Sequence, residues 1–544
     1  MDPLNNAIIP LNSGQSIGSS SSSQQTITSP QTLQKIEELL LRHGISLPTH
    51  KCQYLYEKSV ASITSTMPVE FVNITKQDHF LSPQPKIHIF PHKEKNLVNL
   101  YLRSRDENSA KIEADRGSTK SHRRNICCLS LDFNQVNDAQ VSAKSVSQLV
   151  LTNYNNILKF NYEIDILEEL KDVEKYDFLL DAAINFVGSK AKQPTIKSVA
   201  YVETYEKDLA QFIEEDLPQY SKDIEPATLA TFKLNIIRKT LEDFVKVHRS
   251  GYIHIDPKTD NILIRCIVPP KQDENALSNI NNFKTIVNDF DQSIRVSEIA
   301  TLPVLLGTPM MFGPENMERW TQASNHTYQL SQKTDIWALG GTFVELLTGK
   351  LPRWSALIWS MNEIFTAFPV IRGRLSIITP SSTSETVRTI KNFENLLPHA
   401  EEIYTAMAPG WDNDQRYIVE RVCLQLKRVN EIVNQLDPQS MAQLLLDQDF
   451  TDLIYSTIYD TIGHYTNYFS SLQGGAVKRM LEAKMYPIAL QLAADLKNLV
   501  WLTWAELAKT PRPVTRSREE LLVWSLLRPN PEERPTAQEA LALI

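Results

Sequence analysis

Apolar positions recur along this chain with helical spacing in some stretches and in short, strand-like runs in others. Leu33, Ile36, Leu39 and Leu40 repeat at helical intervals behind Ser29-Pro30, a cap followed by a first-turn proline, and Gly44 supplies a stop. A short amphipathic helix is predicted there. Runs at Lys86 to Phe90 and Leu97 to Leu102, with turn residues between them, predict two strands. Cys127 to Leu131 and Gln140 to Val146, separated by turn residues near Asn137-Asp138, predict a hairpin that carries Lys144 on its second strand. From Lys159 to Leu170 the period is helical again, with Ile164, Leu167, Phe160 and Leu170 on one face. Ser198 to Ile213 reads as a strand, an extended connector and a helix start. A helix from about Pro226 to His248 follows, with Leu229, Phe232, Ile236, Leu241 and Phe244 turned inward. Two late stripes predict further helices: Ile418, Val422, Leu426, Val429, Val433 and Leu436, then Ile454, Ile458, Ile462, Tyr465, Phe469 and Leu472 before Gly474-Gly475.

Composition narrows the class. The 544 residues suffice for about three to four domain-sized units. Residues 1 to about 28, with serine at every position from Ser19 to Ser23, hold too little apolar surface to offset ordering entropy and predict a disordered tail. A formal charge of −8 gives no global reason to expect nucleic acid as a partner. The five cysteines show no pair at zinc-ligand spacing and read as reduced thiols. No basic-then-apolar leader is present, and no run approaches the roughly 18 apolar residues of a spanning helix. No membrane span and a cytoplasmic location are expected.

The chemistry concentrates in Gly251 to Arg265, which sets Asp256, Lys258 and Asn261 close together on a loop entering a strand. That set suits phosphoryl transfer, where the protein must hold a nucleophile in line, neutralise phosphate charge and fix magnesium. Asp256 would orient the acceptor hydroxyl, Lys258 would meet the transferring phosphate and Asn261 would hold metal. Taken alone, the stretch reads equally well as an Asn-capped turn between a helix and a strand.

In context it resembles the catalytic loop of eukaryotic-type serine/threonine protein kinases, with His254 in the histidine position and Ile255 where that family has arginine. Asp289-Phe290-Asp291 is similar to the family's magnesium motif, with Asp291 in place of glycine, a change expected to restrict the backbone flip of that motif. Gly307 to Glu315 resembles the end of an activation segment, and Thr308 matches a threonine that contacts the catalytic aspartate and lysine. Lys333 to Pro352 and Leu526 to Leu541 resemble two large-lobe motifs, in which Asp335 braces the catalytic-loop backbone and Arg534 pairs with Glu315. The chain stops directly after the second, as a shortened chain would.

The resemblance implies an α+β, bilobal protein-kinase fold: a small β-rich N-lobe and a helical C-lobe with a large helical insertion. The expected division is a tail over 1–28, an N-terminal extension over 29–110, the N-lobe over 111–202 and the first part of the C-lobe over 203–354. The insertion lies within 355–515 and the closing motif in 516–544. By the same resemblance Lys144 binds nucleotide phosphates, Glu163 holds Lys144, Glu203 to Tyr205 present backbone groups to adenine, and Asp208 lies near the ribose. Asn261 and Asp289 hold Mg2+ or Mn2+, ATP is the co-substrate, and the acceptor is a protein Ser or Thr hydroxyl. Asp291 stands near enough in sequence to approach a second metal. A regulatory or docking protein would use the insertion or the extension.

Departures from the family pattern keep other readings open. Upstream of Lys144 only Gly117 is available for a phosphate-covering loop, in Asp115 to Arg124; Ser118, Thr119, Lys120 and Arg123 either meet phosphate or form a solvated loop. A pseudokinase-like scaffold, or a kinase-fold transferase with a non-protein acceptor, accounts for that loop and for Asp291, while the retained Lys144, Glu163, Asp256, Asn261 and Asp289 oppose a scaffold. The compact activation segment and Ile255 imply activity that depends little on segment phosphorylation. Sparse glycines and the insertion resemble eukaryotic-like kinases that some bacteria deliver into host cells, which would place the protein in host cytosol.

Overall fold

The computed structural model describes residues 30–42, 47–64, 70–73, 86–92, 96–102, 124–133, 141–151, 154–187, 195–203, 205–266, 279–301, 307–321, 330–372 and 517–544, with Leu375 and scattered helical positions between 486 and 512. The tail over 1–28, the Gly117 loop and both late helical stripes lie outside the described residues. Two compact units divide near Gln148 and Leu149.

In the first unit, helices α1 (Pro30–Arg42) and α2 (Thr49–Thr64) accompany an antiparallel meander: β1 (Glu70–Asn73), β2 (Lys86–His92), β3 (Leu97–Leu102), β4 (Arg124–Asp132) and β5 (Val141–Leu151). Successive strand residues face opposite sides. The register therefore gathers Ile89, Val98, Leu100, Leu129 and Leu131 on one face, where they pack with Ile36, Leu40, Cys52 and Leu55 from the helices. The predicted helix, both predicted strands and the hairpin are all present. β3, from the stretch expected to be an extension, pairs along its whole length with β4, from Leu97 opposite Asp132 to Leu102 opposite Cys127.

The second unit begins with α3 (Tyr154–Glu174) and an antiparallel pair, β6 (Leu179–Val187) and β7 (Thr195–Glu203). All four residues of the predicted α3 face are buried. After β8 (Lys207–Asp208), a short α4 (Leu209–Gln211) passes through a π-helical turn, Phe212–Asp216, into α5 (Leu217–Asp223). Glu225 caps α6 (Pro226–Arg249), accepting from the Thr228 amide at 3.1 Å, and Pro226 sits in the first turn, where its missing N–H costs nothing. Phe232, Ile236, Leu241 and Phe244 of α6 are fully buried. They share a core with Ile336, Leu339, Phe343 and Leu346 of α8 (Gln332–Thr348).

Between these helices run β9 (Tyr252–Ile253), β10 (Ile262–Cys266), β11 (Phe283–Val287) and β12 (Ile294–Arg295). They form a three-stranded sheet ordered β11-β10-β8 and a β12-β9 pair. Helices α7 (Pro314–Thr321), α9 (Arg353–Ala367) and α10 (Pro369–Arg372) complete the middle of the unit, and α11 (Arg518–Leu526) and α12 (Ala537–Leu541) close it. A second core joins Trp320, Trp337, Trp354, Met361, Phe365 and Trp504. No helix among the described residues is long and apolar enough to cross a membrane.

α8 is fixed at both ends and along its side. Ser331 and Thr334 form a capping box, and Gly349 ends the helix at φ +73°, a left-handed conformation that glycine adopts without Cβ strain. A Cβ on Gly340 would lie 2.6 Å from Leu527, so the bare backbone is what lets the segment after α11 pack so closely. Arg534 then locks the assembly: its guanidinium makes a two-pronged pair with Glu315 at 2.7 and 2.9 Å, and also donates to the carbonyls of Arg528, Lys333 and Pro529. The Arg534 guanidinium lies over the Trp337 ring at 4.9 Å. Lys333 donates in turn to the Arg534 carbonyl.

Two expectations follow. Arg534 is wholly buried, so Glu315→Ala would strand its charge and should lower the unfolding free energy in urea by about 3 kcal/mol or more. The second concerns Asp243 on α6, whose carboxyl is pushed up to about 7 by burial, with Lys246 at 3.8 Å only partly opposing it. A raised carboxyl favours the folded state while it stays protonated. Its contribution is therefore full below the ordinary value of 3.8, falls as pH rises, and is gone above about 7. Melting temperatures of wild type and Asp243→Asn should diverge against wild type from pH 5 to 7 and run parallel above it.

Candidate active site

α6 delivers the chain to Gly251, which turns at φ +79° into β9, and the loop His254 to Lys258 follows. Ile255 stands at φ +73°, where a β-branched residue costs about 1–3 kcal/mol unless its surroundings enforce it. The enforcement comes from Asp335, which is fully buried in the first turn of α8. Its Oδ1 accepts from the Ile255 amide at 2.8 Å, and its Oδ2 from the His254 amide at 2.8 Å. His248 Nε2 on α6 also lies 2.9 Å from Oδ2. The bracing expected of Asp335 is thus present, with His248 as a neighbour that sequence reasoning missed. The Ile255 side chain sits in an apolar cluster with Ile253, Ile294 and Leu330.

Beyond this strained residue, Asp256 is nearly buried and its contacts are specific. Oδ1 accepts from the Thr308 amide at 2.8 Å, while Oδ2 lies 3.1 Å from Lys258 Nζ and 3.2 Å from Asn261 Nδ2. Lys258 Nζ also donates to Thr308 Oγ1 at 3.0 Å, and Asn261 Nδ2 to the Asp256 carbonyl at 2.9 Å. Burial alone would raise the Asp256 carboxyl, but Lys258 and the Thr308 side chain outweigh it and hold Asp256 below the usual carboxylate range. Lys258 is raised against burial by the Asp256 charge and stays an ammonium.

A second acidic group flanks the first. Asp289 adopts φ +67° after β11, and Phe290 is buried between His254, at 4.8 Å, and Tyr176, at 6.2 Å. Burial, then the neighbouring Asp291, pushes Asp289 up to about 6; burial likewise raises Asp291, with Lys159 at 4.0 Å opposing it. His254 Nε2 donates to the Asn288 carbonyl at 3.0 Å, and the Asn288 amide to the Asn261 carbonyl at 2.8 Å, so the two acidic loops are stitched together. Next along the chain, Gln292 Oε1 accepts from the Gly307 amide at 2.6 Å, another contact absent from the motif reading.

The other predicted site residues take these places. Glu163 on α3 accepts from the Phe290 amide at 3.3 Å. Lys144 lies on β5 opposite Cys128; its side chain, and so its pairing with Glu163, falls outside the described residues. The Glu203 amide donates to the Phe178 carbonyl at 2.9 Å, and its carboxylate faces Arg265 at 2.8 Å and Lys284 at 3.5 Å. Tyr205 is buried beneath Arg265 and beside Phe178. The Asp208 carboxylate caps α4 by accepting from the Gln211 amide at 2.7 Å, a local task that its sequence position did not announce.

Comparison with known proteins agrees with this geometry. The model of the protein kinase domain matches residues 140–436, more than half of the chain. A probable serine/threonine-protein kinase of Dictyostelium discoideum is 33% identical over 118 residues, 22% of this chain and 15% of that protein. The serine/threonine-protein kinase SSK22 of Saccharomyces cerevisiae is 30% identical over 145 residues, 25% of this chain and 10% of that protein. The serine/threonine-protein kinase CST20 of Candida albicans is 30% identical over 118 residues, 22% of this chain and 8% of that protein. The chain thus spans a small fraction of each relative's length. All three are eukaryotic, and the expected bacterial-effector lineage gains no support from them. By its matched domain, the chain belongs to the protein kinase domain family.

Proposed function

We propose that the protein is an ATP- and magnesium-dependent serine/threonine protein kinase. The observation that carries the reading is the Asp256, Lys258 and Thr308 triangle: an ionised carboxylate 3.1 Å from an ammonium, the ammonium 3.0 Å from the Thr308 hydroxyl, and the Thr308 backbone amide 2.8 Å from the carboxylate. In the proposed reaction a substrate hydroxyl oxygen forms a bond to the γ-phosphorus of ATP, the bond from that phosphorus to the β,γ-bridging oxygen breaks, and ADP leaves. Asp256 orients the hydroxyl and takes its proton, for which a carboxylate held ionised is suited. Lys258 neutralises phosphate charge as it transfers. Lys144, steadied by Glu163, would meet the α- and β-phosphates, Glu203 to Tyr205 the adenine and Asp208 the ribose.

The donor set fits a hard divalent cation. Among the described residues no three His, Cys, Asp or Glu side chains gather as a ready-made metal cage. Magnesium needs no such cage, because it binds through one or two carboxylates completed by phosphate and water. Asp289, raised by burial and Asp291, is a carboxylate that nearby positive charge would relieve, and the Asn261 amide turns its nitrogen to Asp256, leaving its oxygen as a ligand. When bound, the ion neutralises and orients the phosphates. Asp291, beside Asp289 and balanced by Lys159, adds negative charge to the same side. The proposed setting is the cytoplasm, with a protein substrate and a docking or regulatory partner on the insertion or the N-terminal region.

The test is transfer of label from γ-labelled ATP to protein Ser or Thr in the presence of magnesium. Asp256→Asn should reduce kcat about 10²- to 10⁴-fold while leaving nucleotide binding intact. Magnesium-dependent ATP binding with no transfer to any acceptor would instead identify a scaffold. Asp289→Asn should raise the magnesium concentration for half-maximal transfer by at least about tenfold, read from a metal titration after chelator treatment.

A further inference from the structure

One contact beside the site does no work in the chemistry just described. The 3-10 turn Phe290–Gln292 is held from both sides: Phe290 is buried, and Ser293 donates its amide to the Phe290 carbonyl at 3.1 Å and its hydroxyl to the His254 carbonyl at 3.3 Å. Gln292 therefore projects from a fixed support. Its Oε1 accepts from the amide of Gly307, 15 residues further along the chain, at 2.6 Å. Gly307 is itself confined, with φ +98° and a would-be Cβ 2.9 Å from the Ile255 carbonyl oxygen and 3.2 Å from Ile255 Cγ2. No other residue type fits there without displacing the strained Ile255.

The next residue is Thr308, whose amide meets Asp256 Oδ1 at 2.8 Å and whose hydroxyl accepts from Lys258 at 3.0 Å. Two successive amides are thus aimed by two acceptors, Gln292 for the first and Asp256 for the second. Without the first, the Gly307 peptide is free to rotate about bonds that glycine restrains least, and Thr308 rotates with it. A neutral amide oxygen suits this task. A carboxylate would bring a further negative charge toward Asp256, Asp289 and Asp291, of which the latter two are already raised.

We propose that Gln292 is a positioning residue for phosphoryl transfer: through the Gly307 amide it holds Thr308 where its amide meets Asp256 and its hydroxyl meets Lys258. The proposal rests on the kinase reading above, but the tether itself can be measured without activity. Gln292→Met keeps the side-chain length and removes the acceptor; Gln292→Glu keeps an acceptor. Hydrogen exchange of the backbone around Gly307 and Thr308, followed by mass spectrometry, should speed up about three- to tenfold in Gln292→Met, the loss of one hydrogen bond, and return toward wild type in Gln292→Glu at pH 8. Exchange in α8 should not change.

In transfer assays Gln292→Met should lower kcat about three- to tenfold with KM for ATP and for acceptor unchanged, as expected when an interaction of the transition state is weakened. A merely structural role would not give that split, nor the following one: in a Thr308→Ala background, Gln292→Met should cost less than in wild type, because the hydroxyl contact with Lys258 is already gone and only the amide contact with Asp256 is left to lose. Unchanged exchange at Gly307 in Gln292→Met overturns the tether, and an undiminished kcat loss in the Thr308→Ala background overturns the route through Thr308. If wild type transfers no label, the kinase reading falls and the positioning role with it, while exchange still decides the tether. Should Gln292→Met fail to fold, Gln292→Asn, one methylene too short to reach, makes the same measurements.

Discussion

A single buried carboxylate holds the catalytic loop in shape. Asp335 has given up all its hydration, and a buried carboxylate is tolerable only when donors replace the lost water. The amides of His254 and Ile255 do so, and in the exchange the loop is bent through a conformation that isoleucine avoids when unconstrained. The direction of the next residue, Asp256, is the product. Asp335 depends in turn on the placing of α8, which is capped by Ser331 and Thr334, packed through Gly340 and pinned by the Lys333 and Arg534 contacts. A chain of rigid supports thus runs from a closing motif with no chemistry of its own to the carboxylate that would do the chemistry.

Around that carboxylate the electrostatics split in two. Asp256 lies against Lys258 and Thr308 and is driven toward its ionised form; Asp289 and Asp291, half-buried side by side, are driven away from theirs. Residues of one type in one neighbourhood are thereby pushed in opposite directions by what surrounds them, as the proposed division into a proton acceptor and a place for a cation requires. The apolar cluster of Ile253, Ile255, Ile294 and Leu330 supports this arrangement without charge. It offers no basic group for an added phosphate to pair with.

Much of this was readable from the amino-acid sequence, for reasons that differ by residue. The α3 and α6 faces were legible because burial imposes a 3.6-residue period, and β2 and β3 because short apolar runs between turns have few alternatives. Asp256, Lys258 and Asn261 were legible because they are close in sequence and their spacing is itself a chemical statement. Asp335 and the Glu315–Arg534 pair came through family resemblance alone, since their partners are 219 residues apart in the second case. Gln292 with Gly307 and His248 with Asp335 were not legible, because each joins distant positions that carry no periodic signal. Asp208 carries a local task that the motif reading did not give it, capping α4 by accepting from the Gln211 amide.

The clamp between α8 and the closing segment has an evolutionary consequence. Gly340 against Leu527, and Arg534 against Glu315, bring together the two ends of a long stretch of chain, and these contacts belong to the ends. The entropy of closing such a loop grows only with the logarithm of its length, about 0.6 kcal/mol for each doubling, far less than a buried ion pair loses when one side is removed. Selection can therefore change the length of the stretch between them at little cost to the clamp, provided Trp354, Met361, Phe365 and Trp504 keep their places against Trp337 of α8. What holds the catalytic loop is thus a matter of which ends meet, and hardly of how much chain runs between them.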